Sequence, residues 1–107
     1  MTAILSADDD MYVLYSIWKA LKAEGYTVLT ASNGPAALET SRKYLGPIDL
    51  LITSVALPRM NGLELSEAIK AERPAIKVLL MSRDSRESVQ ASIPGLFLLG
   101  PSTYCIG

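Results

Sequence analysis

"DLLITSVALPRMNG", residues 49–62, decides how the rest of the chain is read. Leu50, Leu51 and Ile52 form an uninterrupted apolar run that ends in Thr53-Ser54. A strand with one wet face would alternate polar with apolar side chains. A continuously apolar strand suits a parallel sheet covered on both faces. A short loop with Pro58 and Gly62 follows, and then Leu63, Leu65, Ala68 and Ile69 at helical spacing. In sheets built from such strand–loop–helix units, ligands sit beyond the carboxyl ends of the strands. Here that position holds Ser54.

The same unit recurs on both sides of this stretch. Ile4-Leu5 leads into Asp8-Asp9-Asp10, and Val13, Leu14, Ile17, Trp18 and Leu21 then recur at three- and four-residue steps. Asp10 is placed to cap that helix and Gly25 to end it. Trp18 reads as a core residue. "YTVLTA" (26–31) is rich in β-formers, and "SNGP" turns into a second helix with Pro35 at its start. Leu38, Ser41, Tyr44 and Leu45 line one face of that helix.

Pro74 ends the third helix, and "IKVLLM" (76–81) is the fourth strand. Residues 84–92 read as a short polar helix capped by Asp84 or Ser85. "LFLL" (96–99) is a fifth strand. The tail "GPSTYCIG" has too few residues for a further full helix. Alternating strands and helices with right-handed crossovers give a doubly wound α/β fold on a five-stranded parallel sheet. Residues 1–107 form one domain.

Composition narrows the function. A chain of 107 residues, half of them hydrophobic, can bury one core. Ten basic and eleven acidic residues leave a net charge of −1, which gives no support to a nucleic-acid or membrane-surface role. The single cysteine, Cys105, allows no intramolecular disulfide and reads as an inert tail residue. The chain has no histidine, which removes histidine acid/base catalysis and histidine-ligated zinc. "MTAILSADDD" lacks the pattern of a signal peptide, and no apolar run approaches the ~20 residues of a membrane helix. The expected location is cytoplasmic.

Asp8, Asp9 and Asp10 are the densest chemistry in the chain. Clustered carboxylates repel unless a proton or a cation intervenes. Mg²⁺ is one answer, since it takes oxygen ligands and keeps several waters. The other is that Asp10 caps the helix while its neighbours stay solvated. No nucleophile–base pair and no glycine-rich phosphate loop is visible, so a small hydrolase has little to work with in this crevice.

"ILSADDD" (4–10), "DLLITSVALPRMNGLEL" (49–65), "VLLMS" (78–82) and "FLLGP" (97–101) resemble the ordered landmarks of response-regulator receiver domains. These are the CheY-like, flavodoxin-like modules of two-component signalling. The resemblance spans about residues 3–101 and rests on the spacing of Asp49, Ser54, Pro58, Met60 and Gly62. It implies that an acidic pair, here Asp8 and Asp9, binds Mg²⁺. It also implies that a strand-three aspartate accepts a phosphoryl group from a histidine kinase. A hydroxyl after strand four, matched by Ser82, would follow that group, and an aromatic, matched by Phe97, would swing inward. Pro101 matches a cis-proline preceded in the family by a lysine.

Two positions depart from the resemblance. Ser54 stands where the family has its phosphoacceptor aspartate, and Gly100 where it has its lysine. A serine hydroxyl is a poor nucleophile without an adjacent base. Losing one carboxylate should also weaken Mg²⁺ binding. Removing one member of a partly buried ion pair strands the other, whereas removing both avoids that cost. The expectation is therefore a receiver-like module that is not phosphorylated on aspartate and acts by protein–protein contact. The alternative is a working phosphorelay receiver that uses Ser54 or a nearby carboxylate such as Asp9. Expected partners are a histidine kinase or another signalling protein, with no direct nucleic-acid or membrane contact. With the last helix short or missing, an apolar strip beside the first helix would be exposed, and self-association through that face is expected.

Overall fold

The computed structural model describes residues 2–81, 96–100 and 103–106. Its elements are β1 (Ala3–Ala7), α1 (Met11–Ala23), β2 (Thr27–Ala31), α2 (Gly34–Lys43), β3 (Leu50–Ser54), α3 (Gly62–Glu72), β4 (Lys77–Met81), β5 (Leu96–Gly100) and β6 (Thr103–Ile106). The strands form one sheet in the order β2-β1-β3-β4-β6-β5.

The doubly wound parallel arrangement is present across β2, β1, β3 and β4. The sheet differs from five parallel strands at its far edge. β5 forms at the expected place, but it pairs antiparallel with β6, and β6 pairs antiparallel with β4. The antiparallel sense of the β5–β6 pair follows from the length of their connection. Only residues 101 and 102 separate β5 from β6, and a parallel neighbour needs a crossover of about a dozen residues. Thr103, Tyr104, Cys105 and Ile106 are also β-formers, so the tail returns as a strand.

Helix ends follow their local chemistry. The Asp10 carboxylate accepts the Tyr12 N–H at 2.9 Å and caps α1. Gly25, at φ +90°, takes the left-handed turn that closes α1 at little steric cost. Asn33 caps α2 by accepting the Ala36 N–H at 2.8 Å. Asn61 and Glu64 form a reciprocal capping box at the start of α3.

The two faces of the sheet are filled unequally. Leu5, Ala7, Leu51, Val78 and Leu80 pack with Ala37 and Leu38 of α2 and with Leu65 and Ile69 of α3 in one buried cluster. Side chains alternate across a strand, so Ile4, Ser6, Ile52 and Leu79 face the opposite side, where α1 lies. From α1 only Leu14 is buried. Two sequence expectations are corrected here. Trp18 is 38% exposed instead of being core, because its stripe of α1 borders an open groove beside Thr30 of the edge strand β2; its ring stacks on Tyr15 at 6.1 Å under the Lys22 ammonium. Leu45 is 99% exposed, because α2 ends at Lys43 and the chain leaves the helical face there.

Candidate functional site

Two strand ends build the site. Asp8 follows β1 directly, and the β1–β3 register pairs Ala7 with Thr53. Asp8 and Ser54 are therefore the next residues along at the same carboxyl edge of adjacent parallel strands. This is the crevice where the parallel architecture places ligands.

Asp8 is buried, at 6% exposure. Its N–H donates to the Ala31 carbonyl at 3.1 Å, which ties the β1 end to β2. Its Oδ1 accepts the Asp10 N–H at 2.9 Å. Burial pushes the Asp8 carboxyl above its ordinary value, the Asp10 amide partly opposes this, and Asp9 adds to it. Asp9 is exposed beside it. Asp10 is engaged as the helix cap. The triplet thus divides by role into one buried carboxylate, one solvated carboxylate and one cap.

Ser54 is half-buried at the end of β3. Its Oγ donates to the Ala56 carbonyl at 3.3 Å, while Thr53 Oγ1 donates to the Ser54 carbonyl at 3.0 Å. The loop beyond is tightly closed. The Val55 N–H donates to the Met81 carbonyl at 2.9 Å, and the Gly62 N–H donates to the Val55 carbonyl at 2.8 Å. A Cβ on Gly62 would strike the Ser54 carbonyl oxygen, so this approach needs glycine. Arg59 sits at φ +70°, a left-handed conformation unusual for a long side chain.

The other expected site residues are placed less fully. Ser82 and Pro101 lie outside the described residues. Phe97 lies on β5 opposite Cys105, and Gly100 lies at the end of β5 opposite Thr103, with β6 between them and β4. Asp49 is at the other end of β3, where its Oδ2 accepts the Ala3 N–H at 3.1 Å, so it is a strand clamp remote from the crevice. Sequence reading did not anticipate the Ser54–Ala56 contact or the positive φ of Arg59. The only signal for either was the dense run Pro58 to Gly62.

The donor set is all oxygen. Asp8 and Asp9 offer two neighbouring carboxylates, and Ser54 offers a hydroxyl at the adjacent strand end. Among the described residues no group of three or more His, Cys, Asp or Glu side chains converges. Two carboxylates with water suit a hard cation, since Mg²⁺ is commonly bound through one or two carboxylates.

The family model for the response regulator receiver domain matches residues 4–94. The probable transcriptional regulatory protein TcrX of Mycobacterium tuberculosis is 30% identical over 93 residues, covering 87% of this chain and 38% of TcrX. The chain thus spans well under half of that relative. A receiver domain protein from Clostridium thermocellum superposes with a TM-score of 0.75 at 28% identity, covering 86% of this chain and 75% of that one. The response regulator TrrA of Thermotoga maritima, solved in complex with Mg²⁺ and BeF, gives a TM-score of 0.73 at 30% identity, covering 86% and 78%. No helix among the described residues is long and apolar enough to cross a membrane.

Proposed function

This chain belongs to the response regulator receiver domain family of two-component signalling, and we propose that it serves there as a module that does not accept a phosphoryl group on aspartate. One observation carries the proposal. At the carboxyl end of β3, beside Asp8, the residue is Ser54, and its hydroxyl proton goes to the Ala56 carbonyl. A carbonyl is not a base that could activate the oxygen, and the chain has no histidine to replace it. Gly100, at the position matched to the family's lysine, has no side chain to compensate phosphoryl charge.

Mg²⁺ binding follows the same logic. Asp8 and Asp9 would hold the ion, which would offset their mutual repulsion at this strand end. With a hydroxyl in place of the third carboxylate, affinity is weak. Output is by protein–protein contact and the module is non-enzymatic. Partners are a histidine kinase or another signalling protein, met around Phe97 and residues 84–92, and no direct nucleic-acid or membrane contact is needed.

The test is incubation with acetyl phosphate and Mg²⁺ followed by intact-mass spectrometry. The expected spectrum shows the unmodified mass. A phosphate adduct that hydroxylamine removes, as it does an aspartyl phosphate, overturns the proposal. A second reading is favoured by the placement of Ser54, which still faces the acidic pair's end of the sheet. On that reading the chain remains a phosphorelay receiver through Ser54 or Asp9. Treatment with an active histidine kinase separates the cases: a phosphate mass that resists hydroxylamine points to Ser54, one that hydroxylamine removes points to Asp9.

A further inference from the structure

We infer that the β2 edge and the adjoining aromatic stripe of α1 form a self-complementary docking surface for a second copy of this chain. The inference does not depend on phosphorylation. It concerns the sheet edge opposite to β5 and β6.

Four observations converge. First, β2 ends the sheet, and among the described residues it pairs with β1 alone. The Thr27 N–H donates to the Thr2 carbonyl, and the Ala31 carbonyl accepts the Asp8 N–H. Backbone groups alternate in direction along a strand, so those of Val28 and Thr30 point to the outer edge. Second, the edge carries none of the usual protections against pairing. "TVLTA" has no charge and no proline, and its five-residue register with β1 runs without a bulge.

Third, large exposed apolar side chains gather beside this edge. Met11 is 67% exposed, Tyr15 58% and Trp18 38%, at helical spacing along one stripe of α1. With Leu14 and Thr30 they line an open groove of about 350 Å³. Exposed aromatic patches of this kind mark interfaces. Fourth, the charges suit a two-fold arrangement. Two β2 strands related by a two-fold axis run antiparallel, which sets the two α1 helices antiparallel on one face of the joined sheet. Asp9, ahead of one helix, then comes near the end of the other, where Lys19 and Lys22 outnumber Glu24. The same patch serves both copies, as an isologous interface requires.

The experiment uses the intact chain. Sedimentation from about 1 to about 100 µM should show a monomer–dimer equilibrium that weakens with added salt. Trp18 is the only tryptophan, so its emission should shift to shorter wavelength as the dimer forms. Exchange of the Val28 and Thr30 amides should slow with rising concentration. Thr30→Lys, an exposed position, should weaken the dimer by about tenfold or more. Should that variant fail to fold, the exchange measurement on the unaltered chain still decides. A monomer throughout, or a dimer whose Val28 and Thr30 amides exchange at one rate at all concentrations, overturns the inference. So does a dimer that resists a folded Thr30→Lys variant but is lost in Leu98→Lys on β5.

Discussion

Asp8 has its ordinary value of 3.8 raised by burial, and this sets a sign. The folded chain holds that proton more tightly than the unfolded chain does. As pH rises from the ordinary value through the raised one, the unfolded state sheds the proton first and stability falls. Above that window the full cost is present. Asp8→Asn removes the charge and keeps an oxygen to accept the Asp10 N–H. The variant should melt higher at pH 7, and the gap should close below the ordinary carboxylate range. Thermal melts from pH 3 to 7 without divalent cation check this. Saturating Mg²⁺ should narrow the gap from the other side, since it stabilises only the charged form. At this scale the sequence was informative about identity and spacing. It placed Asp8, Asp9 and Ser54 at neighbouring strand ends and Asp10 at a cap. It could not show that Asp8 is buried while Asp9 is not, because burial of a strand-end residue depends on how the next loop folds over it.

Among the elements, the loop from Val55 to Asn61 holds the site and Arg73 holds the helices. Gly62 meets the Ser54 carbonyl so closely that Gly62→Ala must move backbone, and overpacking of this sort costs about 1–3 kcal/mol. Urea midpoints should fall with an unchanged slope, since compactness is not altered. Arg73 follows α3 and spans to the end of α2. Its guanidinium donates to Ser41 Oγ at 2.9 Å and to the carbonyls of Gly46, Ser41 and Tyr44 at 2.9, 2.8 and 2.8 Å. It thus satisfies carbonyls that the end of α2 leaves without helical partners. Arg73→Met should cost about 2–3 kcal/mol, since half-buried acceptors lose their donors. Arg73→Lys should recover only part of that, because an ammonium lacks the planar fork. Chemical denaturation of the pair checks the order. Both devices explain limits of sequence reading. The helices and parallel strands were legible from periodicity and capping residues, which are local. Arg73 and its acceptors are 27 to 32 residues apart, and "KAERPAIK" reads as an ordinary solvated turn. The β5–β6 hairpin was missed for a related reason: "TYCI" is too short to declare its pairing partner.

For the whole molecule, the unequal filling of the two sheet faces has a mechanical consequence. On one side α2 and α3 share a continuous cluster with Leu5, Leu51, Val78 and Leu80. On the other, α1 contributes Leu14 as its buried residue and presents its aromatic stripe outward. Ser6 lies at the centre of that second side, fully buried, and its hydroxyl finds no hydrogen-bond partner among the described residues. An unmade hydrogen bond there subtracts from a face that already buries less. Truncations should register the asymmetry. Leu51 is fully buried in the larger cluster, and Leu51→Ala should cost about 3–5 kcal/mol. Leu14→Ala should cost about 2–3 kcal/mol, nearer the low end of the range for buried leucines. Local opening should follow the same order, because segments with few buried apolar contacts open below the global free energy. Amides of α1 should exchange through a lower barrier than those of β3 and α3, and Leu14→Ala should lower it further without affecting β3. Native-state hydrogen exchange in low denaturant reads both quantities. Equal protection of α1 and α3 would mean that the α1 face is held as firmly as the other, with the hairpin side of the molecule supplying what α1 does not.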